Sequence, residues 1–271
     1  MPEAPPIVLV FAGNDPSGGA GIAADIQTLT SLGCHPVPVI TAITVQDTAS
    51  VKQFQAIEAS LVIAQARAVL EDMPVAAIKL GMLANVQIMA AVAAIAEEHP
   101  DIPLIVDPVL TAGDGRTLSE EPIEDAYRAL LIPQATLITP NSIEARRLAR
   151  DADSLDACAQ ELLSTGTEYV LITGTHEPTP QVENRLYGNR RLLETYTFER
   201  LPGSFHGSGC TLASACAATL AHGFDPLAAI AEAQDFTWNA IKNGFRAGMG
   251  QSLPDRMYWA REESDEGGSL H

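Results

Sequence analysis

Cys210 stands in the segment FHGSGCT (205–211), where small residues lead directly into an Ala-rich helical pattern. Glycines at a helix start leave several backbone N–H groups unpaired at the positive end of the helix dipole, which suits a bound phosphoryl group. The same dipole is expected to lower the pKa of the Cys210 thiol, so that a thiolate could take a proton from a substrate hydroxyl. The segment therefore predicts an anion cradle that contains an acid–base group.

A packing interpretation competes with the catalytic one at Cys210 and at Cys216, which follows in the same helical pattern. A free cysteine is often only a small buried hydrophobe, and packing is the favoured interpretation for Cys216 in the middle of the same helical pattern. For Cys210 the catalytic interpretation is favoured, because the cradle and the acid–base group occur together.

A second Gly-rich segment, FAGNDPSGGAG (11–21), follows a predicted strand and opens a helix. Its glycines let the backbone approach a ligand closely, and Asp15 and Asp25 flank the turn. The segment matches neither the dinucleotide pattern GxGxxG nor the phosphate loop GxxxxGK(S/T), because no lysine follows. A tight strand-to-helix connection that needs glycines with positive φ explains the pattern equally well, so both interpretations stay open.

Polar side chains also follow two later strands. Asp107 ends the apolar run of IVDPV (105–109), while Asn141 and Glu144 lie three residues apart at a predicted helix start and so share one face. Carboxylate and amide oxygens at strand ends suit Mg²⁺, which is usually held alongside substrate phosphates. Asn141 and Glu144 fit a helix N-cap and capping box equally well, and the two roles are compatible.

The elements that must position these residues alternate along the chain. Nearly continuous apolar runs predict strands buried on both faces, and amphipathic Ala-rich stretches separate them, which is typical of right-handed βαβ crossovers and a mostly parallel sheet. Ligands bind such sheets beyond the carboxyl ends of the strands. The predicted strands are 7–11, 37–43, 75–80, 103–109, 135–139 and 169–173, with helices through 32 and at 61–70, 85–98, 122–131, 141–149 and 155–164.

The pattern changes after Thr173. Residues 182–198 alternate around a Gly-Asn pair at 188–189, which predicts a hairpin and an antiparallel edge of the sheet. Two helices at about 207–222 and 225–247 complete the pattern. With no repeat or linker between these elements, we predict an α/β fold with a single domain over 1–260, followed by a polar, disordered tail at 261–271.

Bulk composition excludes several classes of protein. Hydrophobic residues make up 46% of the 271 residues, enough for a large core, and the formal net charge of −18 disfavours a nucleic-acid partner. Four widely spaced cysteines without a CxxC pair argue against a zinc site or a disulfide framework. Neither a signal sequence nor a long apolar run is present, so we expect a cytoplasmic protein without a membrane partner.

Taken together, the motifs resemble those of the hydroxymethylpyrimidine/phosphomethylpyrimidine kinases of thiamin biosynthesis. The resemblance covers roughly residues 7 to 247, and six motifs in the same order carry it. They are AGNDPSGGAGIAAD, VITAITVQDT, IKLGML, VDPV, ITPNSIEA and HGSGCT. The related pyridoxal and sugar kinases generally have Asp at the position of Cys210, so this cysteine favours the pyrimidine branch.

The resemblance implies a ribokinase-like three-layer αβα sandwich, a homodimer, and the use of ATP with Mg²⁺. It also implies phosphorylation of 4-amino-5-hydroxymethyl-2-methylpyrimidine and then of its monophosphate. The residues that it places at the pyrimidine are Gly13, Asp25, Gln46 and Met82. Gln46 suits that role physically, because an amide offers both a donor and an acceptor to an aminopyrimidine edge.

The remaining site residues follow from the same resemblance. Asp107 and Glu144 match the metal region. Asn141, Thr173 and Ser208 match the ATP phosphate region, and Gly207, Gly209 and Cys210 match the anion hole and the catalytic residue.

Two positions depart from the family pattern. Thr173 in TGTH replaces the lysine of KGGH, and Gln234, counted from Cys210, replaces a second lysine on the last helix. Losing two cations near transferring phosphates weakens transition-state stabilisation, and the second phosphorylation, on a charged substrate, is expected to suffer most. Lys242 and Arg246 are candidates to replace them.

Two alternatives remain beside the bifunctional kinase. One is an enzyme of the same fold that performs a single step, as a hydroxymethylpyrimidine kinase or a pyridoxine kinase. The other is a degenerate kinase that binds a pyrimidine as a sensor. The missing lysines motivate the sensor, whereas Cys210 and the glycine cradle argue against it.

Overall fold

A computed structural model of the chain describes residues 4–111 and 123–265. Six parallel strands form the centre of its sheet, and most of their apolar side chains are buried, as the sequence predicts, although Ile43 and Val45 of β2 are exposed. These strands are β1 (Ile7–Asn14), β2 (His35–Gln46), β4 (Val75–Leu80), β5 (Leu104–Val106), β6 (Leu137–Ile138) and β7 (Tyr169–Ile172).

Antiparallel strands close both edges of the sheet. Strand β3 (Val51–Ala56) pairs with β2, while β8 (Gln181–Gly188) and β9 (Arg191–Glu199) form the predicted hairpin beside β7. The strand order across the described residues is β3-β2-β1-β4-β5-β6-β7-β8-β9. The order reverses at β1, so the crossovers place helices on both faces of the sheet.

Helices cover each face over its own apolar cluster. On one face, α1 (Gly21–Ser31), α7 (Ser208–Ala221) and α8 (Pro226–Lys242) pack over a cluster that includes Val8, Val10 and Ile105. The other cluster, built on Leu9, Phe11 and Val106 from the opposite pleats, is covered by five helices. They are α2 (Ala59–Asp72), α3 (Val86–Glu98), α4 (Ile123–Ala126), α5 (Ser142–Leu148) and α6 (Leu155–Ser164).

The helix-on-sheet-on-helix arrangement confirms the predicted α/β three-layer fold and its antiparallel edge. No helix in the described portions is both long and apolar enough to cross a membrane.

Several predicted boundaries differ from the structure. Strand β3 was not predicted, because only one residue in its run, Val51, is buried and no alternation marks it. The predicted helix 122–131 is a four-residue α-helix that continues as a π-helical turn at Tyr127–Leu131, and residue 122 lies outside the described residues. The last long helix ends at Lys242, with Asn243 as its C-cap, rather than at residue 247.

The predicted disordered tail is wrong over its first part. Helix α9 (Tyr258–Asp265) includes residues 261–265, and Arg261 pairs with Asp255 at 3.0 Å. Residues 266–271, the rest of that predicted tail, lie outside the described residues.

Candidate active site

The carboxyl ends of the parallel strands carry the glycine and the methionine assigned to the pyrimidine. A register shift in the β1–β2 pairing falls between Ala12 and Gly13, where β2 carries an extra residue, Thr41. A Cβ atom at Gly13 would lie 3.2 Å from Sδ of Met82. The two residues are therefore neighbours, and a larger side chain at position 13 would fill the space beside Met82.

Gln46 lies across from this point, at the end of β2. Its Nε2 atom is 2.9 Å from Nε2 of His206, and its Oε1 atom is 3.2 Å from the Thr44 hydroxyl. His206 Nε2 also lies 2.9 Å from Oδ2 of Asp15 in the Gly-rich turn. Because His206 Nε2 donates to Asp15, it cannot also accept from Gln46, and the half-buried Gln46 amide keeps its N–H donors for a ligand at the mouth of the site.

Hydrogen bonds keep Asp15 ionised in spite of its burial. Burial raises the pKa of this carboxyl, but bonds from His206, from Ser17 and from the Ala20 backbone outweigh it, so the pKa lies below its ordinary value. The carboxylate thus braces the turn and orients His206 at the same time.

Helix α7 begins at Ser208, as the sequence predicts. Gly207 is its N-cap with φ +84°, and Ser208, Gly209 and Cys210 form the first turn, whose N–H groups have no partner within the helix. A Cβ atom at Gly207 would lie 1.8 Å from the Gly19 carbonyl oxygen. Only glycine fits this N-cap, and the helix start is therefore pressed against the Gly-rich turn.

The predicted thiolate at Cys210 is wrong. Burial raises the pKa of the Cys210 thiol to about 12, and the negative charges of Asp107 and Asp25 add to this effect, whereas Lys79 and the Gly21 N–H oppose it. Although the side chain keeps some solvent contact, the pKa lies far above neutral pH. The helix dipole does not compensate for two neighbouring carboxylates.

Asp107 is the better matched proton acceptor. Burial raises the pKa of its carboxyl to about 6. The charge of Lys79 and a hydrogen bond from Cys210 lower this pKa, whereas the charge of Asp25 raises it. At neutral pH Asp107 is therefore a carboxylate that accepts a hydrogen bond from the neutral Cys210 thiol. The pair combines a carboxylate that can accept a proton near neutral pH with a thiol in the first turn of α7.

Asp25 is fully buried below this pair. Its Oδ1 accepts hydrogen bonds from Nζ of Lys79 at 2.8 Å and from the Ser214 hydroxyl at 2.7 Å, and both side chains of the ion pair are 0% exposed. Its Oδ2 has no hydrogen-bond partner. Burial lowers the pKa of Lys79, but the negative charges of Asp25 and Asp107 and the hydrogen bond to Asp25 outweigh burial, so the pKa lies above its ordinary value.

Glu144 lies on the other side of Asp107, at the start of α5. The predicted capping box is present: Asn141 Oδ1 accepts from the Glu144 N–H at 3.0 Å, and Glu144 Oε2 accepts from the Asn141 N–H at 3.0 Å. Burial raises the pKa of Glu144 to about 8, and the charge of Asp107 adds to this effect. Burial and the Asp107 charge thus raise the affinity of the Glu144 carboxyl for a proton.

These two carboxyls fit a divalent cation, which would remove the repulsion between two carboxylates. In the part of the chain that the structure describes, no group of three or more His, Cys, Asp or Glu residues is arranged to hold a metal alone. The donor set is thus typical of Mg²⁺ sites that the substrate phosphates complete.

Comparison with known proteins decides the family. The sequence model of the phosphomethylpyrimidine kinase family matches residues 15–255. The chain belongs to this family. It is 40% identical to the hydroxymethylpyrimidine/phosphomethylpyrimidine kinase of Mycobacterium tuberculosis (strain H37Rv), over 90% of this chain and 89% of that protein. It is 38% identical to the kinase of that name from Synechococcus elongatus, over 93% and 98%.

Solved structures agree in fold. The pyridoxal kinase of Staphylococcus aureus in complex with ADP superposes with a TM-score of 0.86 at 28% identity, covering 96% of each chain. The phosphomethylpyrimidine kinase of Clostridium difficile 630 superposes with a TM-score of 0.75 at 30% identity, covering 87% of this chain and 99% of that one.

The two positions that depart from the family pattern are connected in the structure through Asn184. Thr173 forms an isolated bridge with Asn141, and its carbonyl accepts from the Ser142 N–H at 3.0 Å. Gln234 is buried, where its Oε1 accepts from Nδ2 of Asn184 at 2.9 Å, and Asn184 in turn accepts from the Gly174 N–H. Neutral amides therefore brace the turn that follows Thr173.

Sequence reasoning gave no place in the site to Lys79 or His206, and named Asp15 only as flanking the Gly-rich turn. Lys79 is the one charged residue in the run VAAIKL, and a lone lysine in a doubly buried strand signals a buried ion pair. His206 and Asp15 gave a weaker signal, because nothing in the sequence links residues 191 positions apart.

Proposed function

We propose that this family member transfers the γ-phosphoryl group of ATP to 4-amino-5-hydroxymethyl-2-methylpyrimidine, and then phosphorylates the monophosphate to the diphosphate, in thiamin biosynthesis. The observation that carries the proposal is the α7 start, where the Gly207–Cys210 amides adjoin the Asp107–Cys210 pair. Gly13, Met82 and Gln46 stand at the adjoining strand ends, where the family resemblance places the pyrimidine. Membership of the phosphomethylpyrimidine kinase family supports the same substrate.

In the proposed reaction, the hydroxymethyl oxygen forms a bond to the γ-phosphorus while the bond from that phosphorus to the β,γ-bridging oxygen breaks, and ADP leaves. The hydroxyl proton passes to the Cys210 thiol as the thiol gives its own proton to Asp107, so the thiol stays neutral throughout. The N–H groups of the first turn of α7 stabilise the phosphoryl oxygens in the transition state.

Asp107 and Glu144 would hold Mg²⁺, which when bound neutralises charge on the nucleotide phosphates. The chain itself contributes by burying both carboxyls, so that a bound cation lowers the cost of keeping them ionised. Asp25 is proposed to contact the pyrimidine through its unpaired Oδ2, which a ligand amino group would satisfy. Because this atom is buried, that contact requires the side chains around it to move.

The two candidate replacements for the family lysines are engaged elsewhere. Nζ of Lys242 lies 5.0 Å from the centre of the Trp238 ring, and Arg246 donates to the carbonyls of Gly248 and Met249. With Asn141, Thr173 and Ser208 proposed around the ATP phosphates, the cradle relies on backbone N–H groups and neutral side chains. We therefore expect the second phosphorylation to be slower than the first.

Turnover with ATP and Mg²⁺ tests the assignment, using the alcohol and its monophosphate as separate substrates. Conversion of both supports the bifunctional kinase, whereas conversion of the alcohol alone would make it a single-step enzyme. Conversion of neither, with the pyrimidine still bound, would favour a sensor and contradict the proposal.

Pyridoxine is the second candidate substrate, because the pyridoxal kinase of S. aureus shares the fold over 96% of both chains. The four-residue match at the pyrimidine pocket and the family membership favour the pyrimidine. A kcat/KM for pyridoxine that exceeds the value for the pyrimidine alcohol would reverse this preference.

We further propose a cytoplasmic homodimer. Ile43 and Val45 project from the same face of the β2–β3 edge and are 52% and 53% exposed, as expected for residues that a second copy covers. Sedimentation analysis of wild type and Val45→Lys tests this, and a wild-type monomer at micromolar concentration would contradict it.

A further inference from the structure

Arg256 is a buried cation that the reaction above does not use. Its side chain is 2% exposed. Its guanidinium makes three hydrogen bonds, all to neutral acceptors. Nη2 donates to the Gly19 carbonyl at 2.6 Å, Nε to the Thr211 hydroxyl at 2.9 Å and Nη1 to Oε1 of Gln27 at 3.1 Å.

These contacts join the two Gly-rich segments of the site. Gly19 belongs to the turn after β1, and Thr211 follows Cys210 in the first turns of α7. The Thr211 hydroxyl, held by Arg256, donates to the Gly207 carbonyl at 2.8 Å. A Cβ atom at Gly207 would lie 3.0 Å from Nη2, so the guanidinium also lies directly beside the N-cap.

The segment before Arg256 fastens the same region from outside. Ser252 pairs with the chain at Ser204 and His206, and the Gln251 N–H donates to the Thr48 carbonyl. A Cβ atom at Gly19 would lie 2.7 Å from the Leu253 side chain. Residues 251–256 therefore connect the end of β2, the Gly-rich turn and the start of α7.

The charge of Arg256 acts on the same centre. Burial lowers the pKa of its guanidinium, while the negative charges of Asp25 and Asp15 favour the charged form. Because no carboxylate neutralises it directly, the cation adds positive potential behind the anion cradle.

We propose that Arg256 is a positioning residue for phosphoryl transfer, which locks the Gly19 turn to the N-terminus of α7 through Gly19 and Thr211. The inference rests on the proposed kinase reaction for its kinetic consequence, but its structural consequence can be measured without turnover. Loss of the lock moves two walls of the reaction site relative to each other, and a displacement of about 1 Å can cost roughly 100-fold in rate.

The test compares Arg256→Met, Arg256→Lys and Thr211→Val with Arg128→Met. Arg128 is the matched control, since it also bridges a backbone carbonyl and a side chain, from Leu148 and Glu161, but on the opposite face of the sheet. We expect R256M to lower kcat by about 10- to 100-fold with less than about threefold change in either KM. R256K, which cannot reach all three acceptors, should fall between R256M and wild type.

A double-mutant cycle isolates the contact with Thr211. If Arg256 acts through the Thr211 hydroxyl, R256M and T211V should be non-additive in kcat, with the double variant close to R256M alone. Additive effects, or an equal loss of kcat in R128M at equal thermal stability, would overturn the positioning role.

Hydrogen exchange tests the Arg256 lock without a measurement of activity. The amides of Ala20 and Thr211 are hydrogen bonded at 2.8 and 2.9 Å, and we expect at least about tenfold faster exchange at both in R256M but not in R128M. Unchanged exchange would refute the lock even if the wild type turned over no pyrimidine. A wild type without turnover, with faster exchange in R256M, would refute only the proposed reaction.

Discussion

Replacing Glu144 by Gln should stabilise the metal-free protein, although Glu144 belongs to the candidate metal site. The folded-state pKa of about 8 lies above the ordinary 4.5, so the folded chain binds this proton more tightly than the unfolded chain. Stability is then lost as pH rises from about 4.5 to about 8, at up to about 1.4 kcal/mol per pH unit. Gln remains neutral and keeps an acceptor for the Asn141 N–H.

The magnitude follows from that window. The difference between the folded and unfolded pKa values of Glu144 corresponds to about 5 kcal/mol of stability above pH 8. The part of this pKa shift that the Asp107 charge causes disappears when Asp107 is itself protonated. We therefore expect E144Q to unfold with a free energy about 2 to 5 kcal/mol higher than wild type at pH 8, and with little difference at pH 5.

Urea denaturation from pH 5 to pH 9, with a chelator present, measures the effect. Glu97→Gln is the matched control, because Glu97 is an exposed glutamate on α3. Added Mg²⁺ should then stabilise wild type more than E144Q. Parallel pH profiles for wild type and E144Q would refute the argument that burial and Asp107 control this carboxyl.

Two further predictions concern the packing beneath the cradle. Lys79→Met leaves the Asp25 carboxylate buried without its cation and should destabilise the protein by about 3 to 5 kcal/mol in denaturation experiments. The double variant with Asp25→Asn should recover part of this loss. No recovery would argue against the ion pair. Gly207→Ala should lose more stability and more kcat than Gly203→Ala, because both glycines have positive φ but only the Cβ at 207 meets the Gly19 carbonyl; equal losses would contradict this.

Much of the fold could be predicted because the central strands are buried on both faces. Runs such as IVLVF and VAAIKL contain almost only apolar residues, and a parallel sheet is the structure in which such runs occur. Strand β3 could not be found this way, since its run VKQFQA lies at an edge and exposes Lys52, Gln53 and Gln55. The π-helical turn at Tyr127–Leu131 likewise has no signal in the helical period.

The site was predictable in its parts but not in its electrostatics. Spacing alone placed Cys210 at a helix start and Glu144 in a capping box, because both features depend on neighbours in sequence. The pKa of the Cys210 thiol depends instead on Asp107, Asp25 and Lys79, which come from other elements. Local dipole reasoning therefore gave the wrong direction for this pKa.

Phosphoryl transfer at the α7 start is tested most directly by Cys210→Ala. Rapid-quench measurement of ATP-dependent product formation, with calorimetric titration of the pyrimidine alcohol, separates catalysis from binding. We expect the rate to fall by at least about 100-fold, with the Kd for the pyrimidine changed by less than about threefold. A near-normal rate would show that the thiol takes no part in the proton transfer and would contradict the assignment of Cys210 as the catalytic residue.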